Sequence, residues 1–137
     1  MRKYPIKEIL FFFEAWFLLH FSKLLIIFVP FRSIASRLGK SQHETPKIEY
    51  HNDYWYDVEV AILRASRFTF HKSKCYDQAI TGKWMLKRRG VMSTLYFGLL
   101  KKESELSAHA WVRVGIRVVT GRGGMEGYTP VAWFGDC

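Results

Sequence analysis

The segment ILFFFEAWFLLHFSKLLIIFV, residues 9–29, constrains the fold of this chain more than any other stretch. Its length is enough for a bilayer, which takes about 20 apolar residues, but it contains Glu14, His20 and Lys23. A charged side chain at the bilayer centre costs about 2.5–3.5 kcal/mol. Three placements of this predicted helix stay open: packed against its own domain or a partner, lying on a membrane surface, or crossing the membrane.

The polar residues near this segment form one narrow stripe. At 100° per residue, four of them fall on one side of the helix, and apolar residues cover most of the remaining circumference. They are Lys3, Lys7, Glu14 and Ser22. Pro30 ends the predicted helix, and three basic residues follow it: Arg32, Arg37 and Lys40. A secretory signal has a shorter apolar core and a small-residue cleavage site, so none is predicted here.

The remaining chain predicts an α+β domain in which helices precede an antiparallel sheet. Residues 41–53 are polar and include a proline, and we interpret them as a linker between an N-terminal element (1–40) and the main domain (54–137). Apolar spacing and turn signals predict the elements of that domain. They are helices over 54–68 and 74–89, strands over 93–101, 108–114 and 116–120, and an edge strand in the tail 128–137, with a polar turn at 102–107.

Charge and cysteine content narrow the function classes. The chain has 137 residues, the size of one domain, and its formal net charge of +9 fits nucleic acid, an anionic membrane or an acidic partner. Nucleic acid is the least favoured, because no recognition motif is present. The only cysteines are Cys75 and Cys137, which predicts free thiols in a reducing compartment, the cytoplasm. No metal site and no cofactor are predicted.

Two residues of the main domain are candidates for chemistry. Cys75 is predicted in the first turn of a helix that Ser73 caps and Gly90 ends, and unpaired N–H groups at a helix start favour a thiolate. His109 lies in the predicted strand AHAWVRV. Taken alone, each residue is more often structural than catalytic. They form a nucleophile and a base only if the fold brings them within hydrogen-bond reach.

A resemblance to a known family links these two residues. The transglutaminase-like protease domain of lasso-peptide biosynthesis B proteins, the leader peptidases of lasso peptides, is similar to KCYDQAITGKWMLKRRGVMSTLYFGLLKK and SAHAWVRVGIRVVTG. In that family a cysteine opens a helix, an R-R-G ending closes it, a strand with a small residue follows, and the base lies in AHAWV. The family's apolar N-terminal helix and its exit resemble EAWFLLHFSKLLIIFVPFRSIASRLGK. The resemblance therefore implies a transglutaminase-like or papain-like fold, with the nucleophile helix packed on an antiparallel sheet.

The resemblance implies a role for each matched residue. Cys75 is the nucleophile that attacks the peptide carbonyl, and its backbone N–H is a natural oxyanion donor. His109 is the general base that activates the thiol and then protonates the leaving amine. Trp111 lies on the same strand face as His109, where it either shields the pair from water or packs in the core.

The family's third residue, an acid about a dozen positions after the histidine, has no counterpart in IRVVTGRGG. Four explanations stay open. Thr120 orients the imidazole as a neutral acceptor in place of the expected Asp; Glu126 or Asp136 reaches back; the enzyme works as a Cys–His dyad; or the protein binds without catalysis. We favour Thr120 or the dyad.

The family also separates leader recognition from leader cleavage. This chain begins directly with the apolar helix and leaves no room for a winged-helix-like recognition domain, so we expect the protease half of a split system. The implied partners are a precursor peptide, a separate leader-recognition protein and an asparagine-synthetase-like cyclase. Residues 9–29 then contact one of these proteins or, peripherally, a membrane. The alternative functions are a non-catalytic precursor-binding or scaffold module and an acyl transferase of the transglutaminase type.

Overall fold

Helices and one antiparallel sheet make up the fold, and the computed structural model describes residues 6–46, 54–70, 75–121 and 127–136. The helices are α1 (Ile6–Phe28), α2 (Phe31–Ala35), α3 (Tyr54–Ala65), which a 3₁₀ turn (Ser66–Phe68) continues, and α4 (Cys75–Arg88). The strands are β1 (Lys40–Ser41), β2 (Thr94–Lys102), β3 (Glu105–Val114), β4 (Arg117–Thr120) and β5 (Thr129–Gly135).

The five strands lie in the order β1-β5-β2-β3-β4, and each neighbouring pair is antiparallel. Helix α4 packs on the sheet, mostly on β3, and α3 lies beside α4. Helix α1 packs against both α3 and α4. The predicted α+β class, with the cysteine-bearing helix on an antiparallel sheet behind an apolar N-terminal helix, is confirmed.

Helix α1 turns its polar stripe toward the domain. Its buried residues are Phe11, Ala15, Leu19 and Ser22. The Ser22 hydroxyl lies 3.2 Å from the Thr81 hydroxyl of α4, and the Glu14 carboxylate pairs with Arg88 and Arg89 at 2.8 and 2.7 Å. One face of the predicted helix is therefore packed against its own domain, and the opposite, apolar face is exposed.

Part of the predicted linker belongs to the sheet. Lys40–Ser41 form β1, which pairs with β5, and Thr45 is buried. The Thr45 N–H donates to the Thr94 hydroxyl over 2.9 Å, and the Thr45 carbonyl accepts from Arg113 Nη2 over 2.8 Å. These hydrogen bonds explain why a polar segment is packed into the fold. The rest of the predicted linker, 47–53, lies outside the described residues.

Two predictions about the sheet differ from the structure. The tail strand β5 is not at an edge, because the two-residue β1 pairs along its other side. The predicted polar turn over 102–107 is shorter, because β2 continues to Lys102 and β3 starts at Glu105. Glu103, with φ of 59°, allows the tight reversal between them.

The predicted ends of the helices agree with the structure better than the predictions for the sheet do. Helix α1 stops before Pro30, and α4 stops before Gly90, whose φ of +72° is a conformation that glycine adopts without strain. The Val91 N–H then donates to the Leu86 carbonyl over 3.0 Å, which satisfies an end carbonyl of α4. Ser73, the predicted cap of α4, lies outside the described residues.

A buried cation holds the end of β5 against α4. The Lys83 side chain is fully buried and donates to the carbonyl and hydroxyl of Ser93, over 2.5 and 3.1 Å. It also pairs with Asp136 Oδ2 at 3.0 Å. Burial lowers the pKa of the Lys83 ammonium, and the Asp136 charge opposes that shift. Asp136, an alternative partner for His109, is thus engaged with Lys83 and with the Ser93 N–H instead.

Candidate active site

His109 lies on β3, opposite Gly98 of β2. Its Nε2 is 2.7 Å from the carbonyl oxygen of Gly121. A carbonyl oxygen only accepts hydrogen bonds, so this contact assigns a proton to Nε2. In the neutral imidazole, Nδ1 then carries the free lone pair and is the nitrogen that can take a proton.

Gly121 follows His109 by 12 residues, the spacing at which the resembling family places its acid. Its φ is +77°, and a Cβ at this position would lie 2.5 Å from the Ala110 carbonyl oxygen and 3.0 Å from His109 Nε2. A side chain therefore does not fit here without displacing the neighbouring backbone. A backbone carbonyl stands where a carboxylate was expected.

Thr120 does not make the predicted contact with the imidazole. It pairs with Val112, whose side chain is in the core, and its methyl group approaches Gly82 of α4. Its hydroxyl is buried and has no hydrogen-bond partner among the described residues. The side chain of Thr120 therefore lies on the α4 side of the sheet. The imidazole of His109 bonds instead to the backbone carbonyl of the next residue, Gly121. Glu126, the other candidate, lies outside the described residues.

Aromatic rings surround the imidazole. The Trp111 ring lies 5.9 Å from it at 26°, and the Tyr128 ring lies 5.4 Å from it at 44°. Trp111 is buried and also stacks on Tyr96 at 5.5 Å. Gly98 makes room for this packing, because a Cβ there would lie 2.8 Å from the Trp111 ring. Trp111 thus packs directly against His109, and its role in shielding the site from water stays a prediction.

Arg113, which no motif in the sequence singled out, anchors the same sheet face. Its guanidinium donates to the Tyr96 hydroxyl over 3.0 Å, the Gly115 carbonyl over 2.6 Å and the Thr45 carbonyl over 2.8 Å. The Tyr96 hydroxyl in turn donates to Glu44 over 2.6 Å. The available signal was the alternation in AHAWVRV, which places this arginine on the same face as the histidine.

Cys75 is the first residue of α4, and its thiol is free and half-buried. No hydrogen bond joins that thiol to His109 within the described structure. Tyr76, the next residue of α4, stacks its ring on Phe97 at 5.5 Å, and burial raises the pKa of its hydroxyl, with smaller contributions from Cys75 and Tyr128. Tyr128 also contacts His109. Ala110 and Val112, which alternate with His109 along β3, are in the core on the α4 side, so the imidazole lies on the other face of the sheet and does not pair with the thiol.

The two side chains are of the kinds that nucleophilic chemistry uses. A thiol at a helix start lies near unpaired backbone N–H donors, and a histidine with one ring nitrogen free supplies a base. A direct proton transfer between Cys75 and His109 requires the imidazole or the start of α4 to move from the arrangement seen here. In the described ranges, no group of three His, Cys, Asp or Glu side chains is placed to hold a metal ion.

Comparison with known families agrees with this geometry. The profile described as "Transglutaminase-like superfamily" matches residues 15–132, well over half of the chain. The chain belongs to the transglutaminase-like superfamily. This superfamily covers cysteine proteases and acyltransferases, and the match extends from the middle of α1 into β5. No curated protein and no solved structure gives a significant match.

Proposed function

We propose that this transglutaminase-like domain is a cysteine peptidase that removes the leader from a lasso-peptide precursor. The observation that carries the proposal is the fixed tautomer of His109, which the Gly121 carbonyl holds with Nδ1 free. The thiol at the start of α4, the membership of a superfamily that includes cysteine proteases and the resemblance to lasso-peptide B proteins support the same reading.

The proposed reaction passes through a thioester. His109 Nδ1 takes the proton of the Cys75 thiol, and the thiolate attacks the carbonyl of the scissile peptide bond. The backbone N–H of Cys75, one of the unpaired donors at the start of α4, stabilises the oxyanion. Protonated His109 gives its proton to the leaving amine, and water then hydrolyses the thioester with the same nitrogen as base.

The proposal includes two protein partners. A separate leader-recognition protein grips the leader, and an asparagine-synthetase-like cyclase receives the freed core peptide. When the recognition protein binds the leader, the protease meets the cleavage site within one complex, at an effective concentration of about a millimolar. We therefore expect slow processing by this chain alone and strong acceleration by the recognition protein.

The test is a cleavage time course at micromolar precursor, with and without the recognition protein, read by mass spectrometry. Cys75→Ala should abolish cleavage, because the nucleophile is gone, and the matched Cys137→Ala should change little. His109→Ala should slow cleavage at least about 10²-fold, the lower end of general-base contributions. The acceleration by the partner should vanish when the leader's recognition segment is supplied as a separate peptide, because the tether is then cut.

The outcomes separate the alternatives. Full cleavage by folded Cys75→Ala would end the peptidase proposal, and equal rates with and without the partner would end the split system. A product that carries an added amine in place of a free carboxylate would identify an acyl transferase. Precursor binding without any turnover by the wild-type chain would identify a scaffold module.

A further inference from the structure

The outward face of α1 is apolar except for His20, and no described part of the chain covers its apolar side chains. Its most exposed side chains include Leu10, Phe13, Phe17, Leu24, Ile27 and Phe28. At 100° per residue they fall within one arc of about 100°. The helix has 23 residues, which makes it about 35 Å long. Apolar patches larger than a few hundred Å² on a soluble domain usually mark a contact.

The segment after α3 extends this face. Phe68 and Phe70 are 64% and 89% exposed, and α1 holds them in place: Trp16 Nε1 donates to the Phe68 carbonyl over 3.0 Å, and the Phe70 N–H donates to His20 Nε2 over 3.1 Å. The other ring nitrogen of His20 bonds the Trp16 carbonyl over 2.8 Å. Both nitrogens of this polar side chain are thus satisfied by protein, which lets it sit in an apolar surface.

Cationic side chains border the face on both sides. On one side, Arg67 lines a groove with Phe13, Phe68 and the ion pair of Arg64 with Glu8. On the other side, Arg37 and Lys87 line a groove with the rings of Phe21 and Trp84. The chain as a whole carries a formal net charge of +9. An apolar strip between two cationic borders is complementary to a lipid surface that carries negative headgroups above hydrocarbon.

We propose that this face docks on an anionic lipid bilayer, with α1 lying in the plane of the interface and the rest of the domain above it. In an ordinary interfacial helix the polar face points to water; here that face packs on the domain, and neighbouring elements supply the cations. The observations favour lipid over a protein partner, because protein interfaces carry about ten hydrogen bonds, whereas the side chains of this arc offer none.

The same contacts argue against a helix that crosses the membrane. By length and composition alone, α1 is able to span a bilayer. Doing so would pull Ala15 and Leu19, both fully buried, out of the core. It would also separate Glu14 from Arg88 and Arg89 and place a carboxylate in hydrocarbon. An interfacial position keeps every one of these contacts.

The proposal is tested by flotation of the full-length chain, made by cell-free synthesis in the presence of vesicles. One set contains phosphatidylcholine alone, and the other adds phosphatidylglycerol. Aggregated protein does not float, so the readout is specific for vesicle binding. The variant Leu10→Ser/Phe17→Ser/Leu24→Ser removes three exposed side chains of the face. The matched control Leu106→Ser/Ile116→Ser/Val131→Ser removes three similarly exposed side chains of the sheet region.

We expect the wild-type chain to float with the anionic vesicles. The α1 variant should bind about a thousandfold more weakly, since each lost side chain contributes about tenfold on burial, and the control should bind like wild type. Arg67→Gln and Lys87→Gln should each lower binding to anionic vesicles about fivefold and leave binding to neutral vesicles unchanged. The bound protein should be released by alkaline carbonate, as an interfacial protein is.

Four results would overturn the proposal. One is a wild-type chain that floats with neither set of vesicles. Another is equal loss of binding in the α1 variant and the sheet control. The third is a soluble dimer, unbound to vesicles, that the three α1 substitutions dissociate, because the face would then be a contact between two copies. The fourth is resistance to carbonate extraction, which would show that α1 spans the membrane and does not lie at its surface.

Discussion

Two polar sites of this domain differ in how many of their hydrogen-bonding groups have partners. At the buried end of β5, the Lys83 ammonium is fully enclosed and contacts Ser93 through two oxygens and Asp136 through a third. At the candidate active site, His109 has one ring nitrogen bonded to Gly121, and the other has no partner in the described part of the chain. The hydrogen bonds of Lys83 are complete and stabilise the fold, whereas the free ring nitrogen of His109 is available to a substrate.

The largest expected effect comes from breaking the hydrogen-bonded network around Lys83. Asp136→Asn removes the carboxylate that faces Lys83 and leaves a buried charge without its counterion. We expect a loss of about 3–5 kcal/mol in the free energy of unfolding, measured by urea denaturation. The matched control is Asp57→Asn, which breaks the exposed pair of Lys7 and Asp57 and should cost about 1 kcal/mol or less.

The double variant Lys83→Met/Asp136→Asn sharpens this prediction. It removes both charges, so it should recover most of the stability that the single variant loses. Equal stability of the wild type and Asp136→Asn would mean that the network is not closed in solution.

A smaller effect is expected at the open site, where Gly121→Ala tests the carbonyl that holds His109. The new Cβ would lie 2.5 Å from the Ala110 carbonyl oxygen, so the Gly121 carbonyl has to move. Loss of one hydrogen bond, worth about 0.5–1.5 kcal/mol, should slow precursor cleavage by up to about tenfold. Gly90→Ala is the matched control, with a similar positive φ but open space around it. If both variants cleave at the same rate, the carbonyl does not position the histidine.

The smallest expected effect concerns Tyr76, next to the candidate nucleophile. Burial raises its pKa above the ordinary value of 10.0. The unfolded chain therefore ionises first as the pH rises past that value, and the folded state loses stability. Tyr76→Phe should keep more of its stability above pH 10 than the wild type, as measured by thermal melting, and Tyr56→Phe, at an exposed position, is the control. Identical alkaline losses in wild type and Tyr76→Phe would contradict this.

Local signals in the sequence predicted much of the fold. Proline and glycine have fixed backbone preferences, so Pro30 and Gly90 marked helix ends that the structure keeps. Periodicity identified the polar stripe of α1, but it carries no information on which face meets the core. The two residues of β1 were unpredictable, because so short a strand exists only through its pairing with β5.

For the candidate site, the sequence predicted which side chains are involved but not the backbone group that contacts His109. Cys75 and His109 were singled out by residue type and by resemblance. The acceptor for His109 is a backbone carbonyl, which every residue has, and only the φ of Gly121 turns this one toward the imidazole. The burial of Lys83 was not predicted because lysine is rarely fully buried unless it is paired, and its counterion Asp136 is distant in sequence.

The most direct test of the central claim, that His109 activates Cys75, is the rate at which Cys75 is alkylated. In a Cys137→Ala background Cys75 is the only cysteine, and iodoacetamide labelling at neutral pH is followed by intact-protein mass spectrometry. Because the thiolate is the reactive form, His109→Ala should slow labelling by about tenfold or more, and His43→Ala should label like the background. Equal rates for His109→Ala and the background would contradict the account.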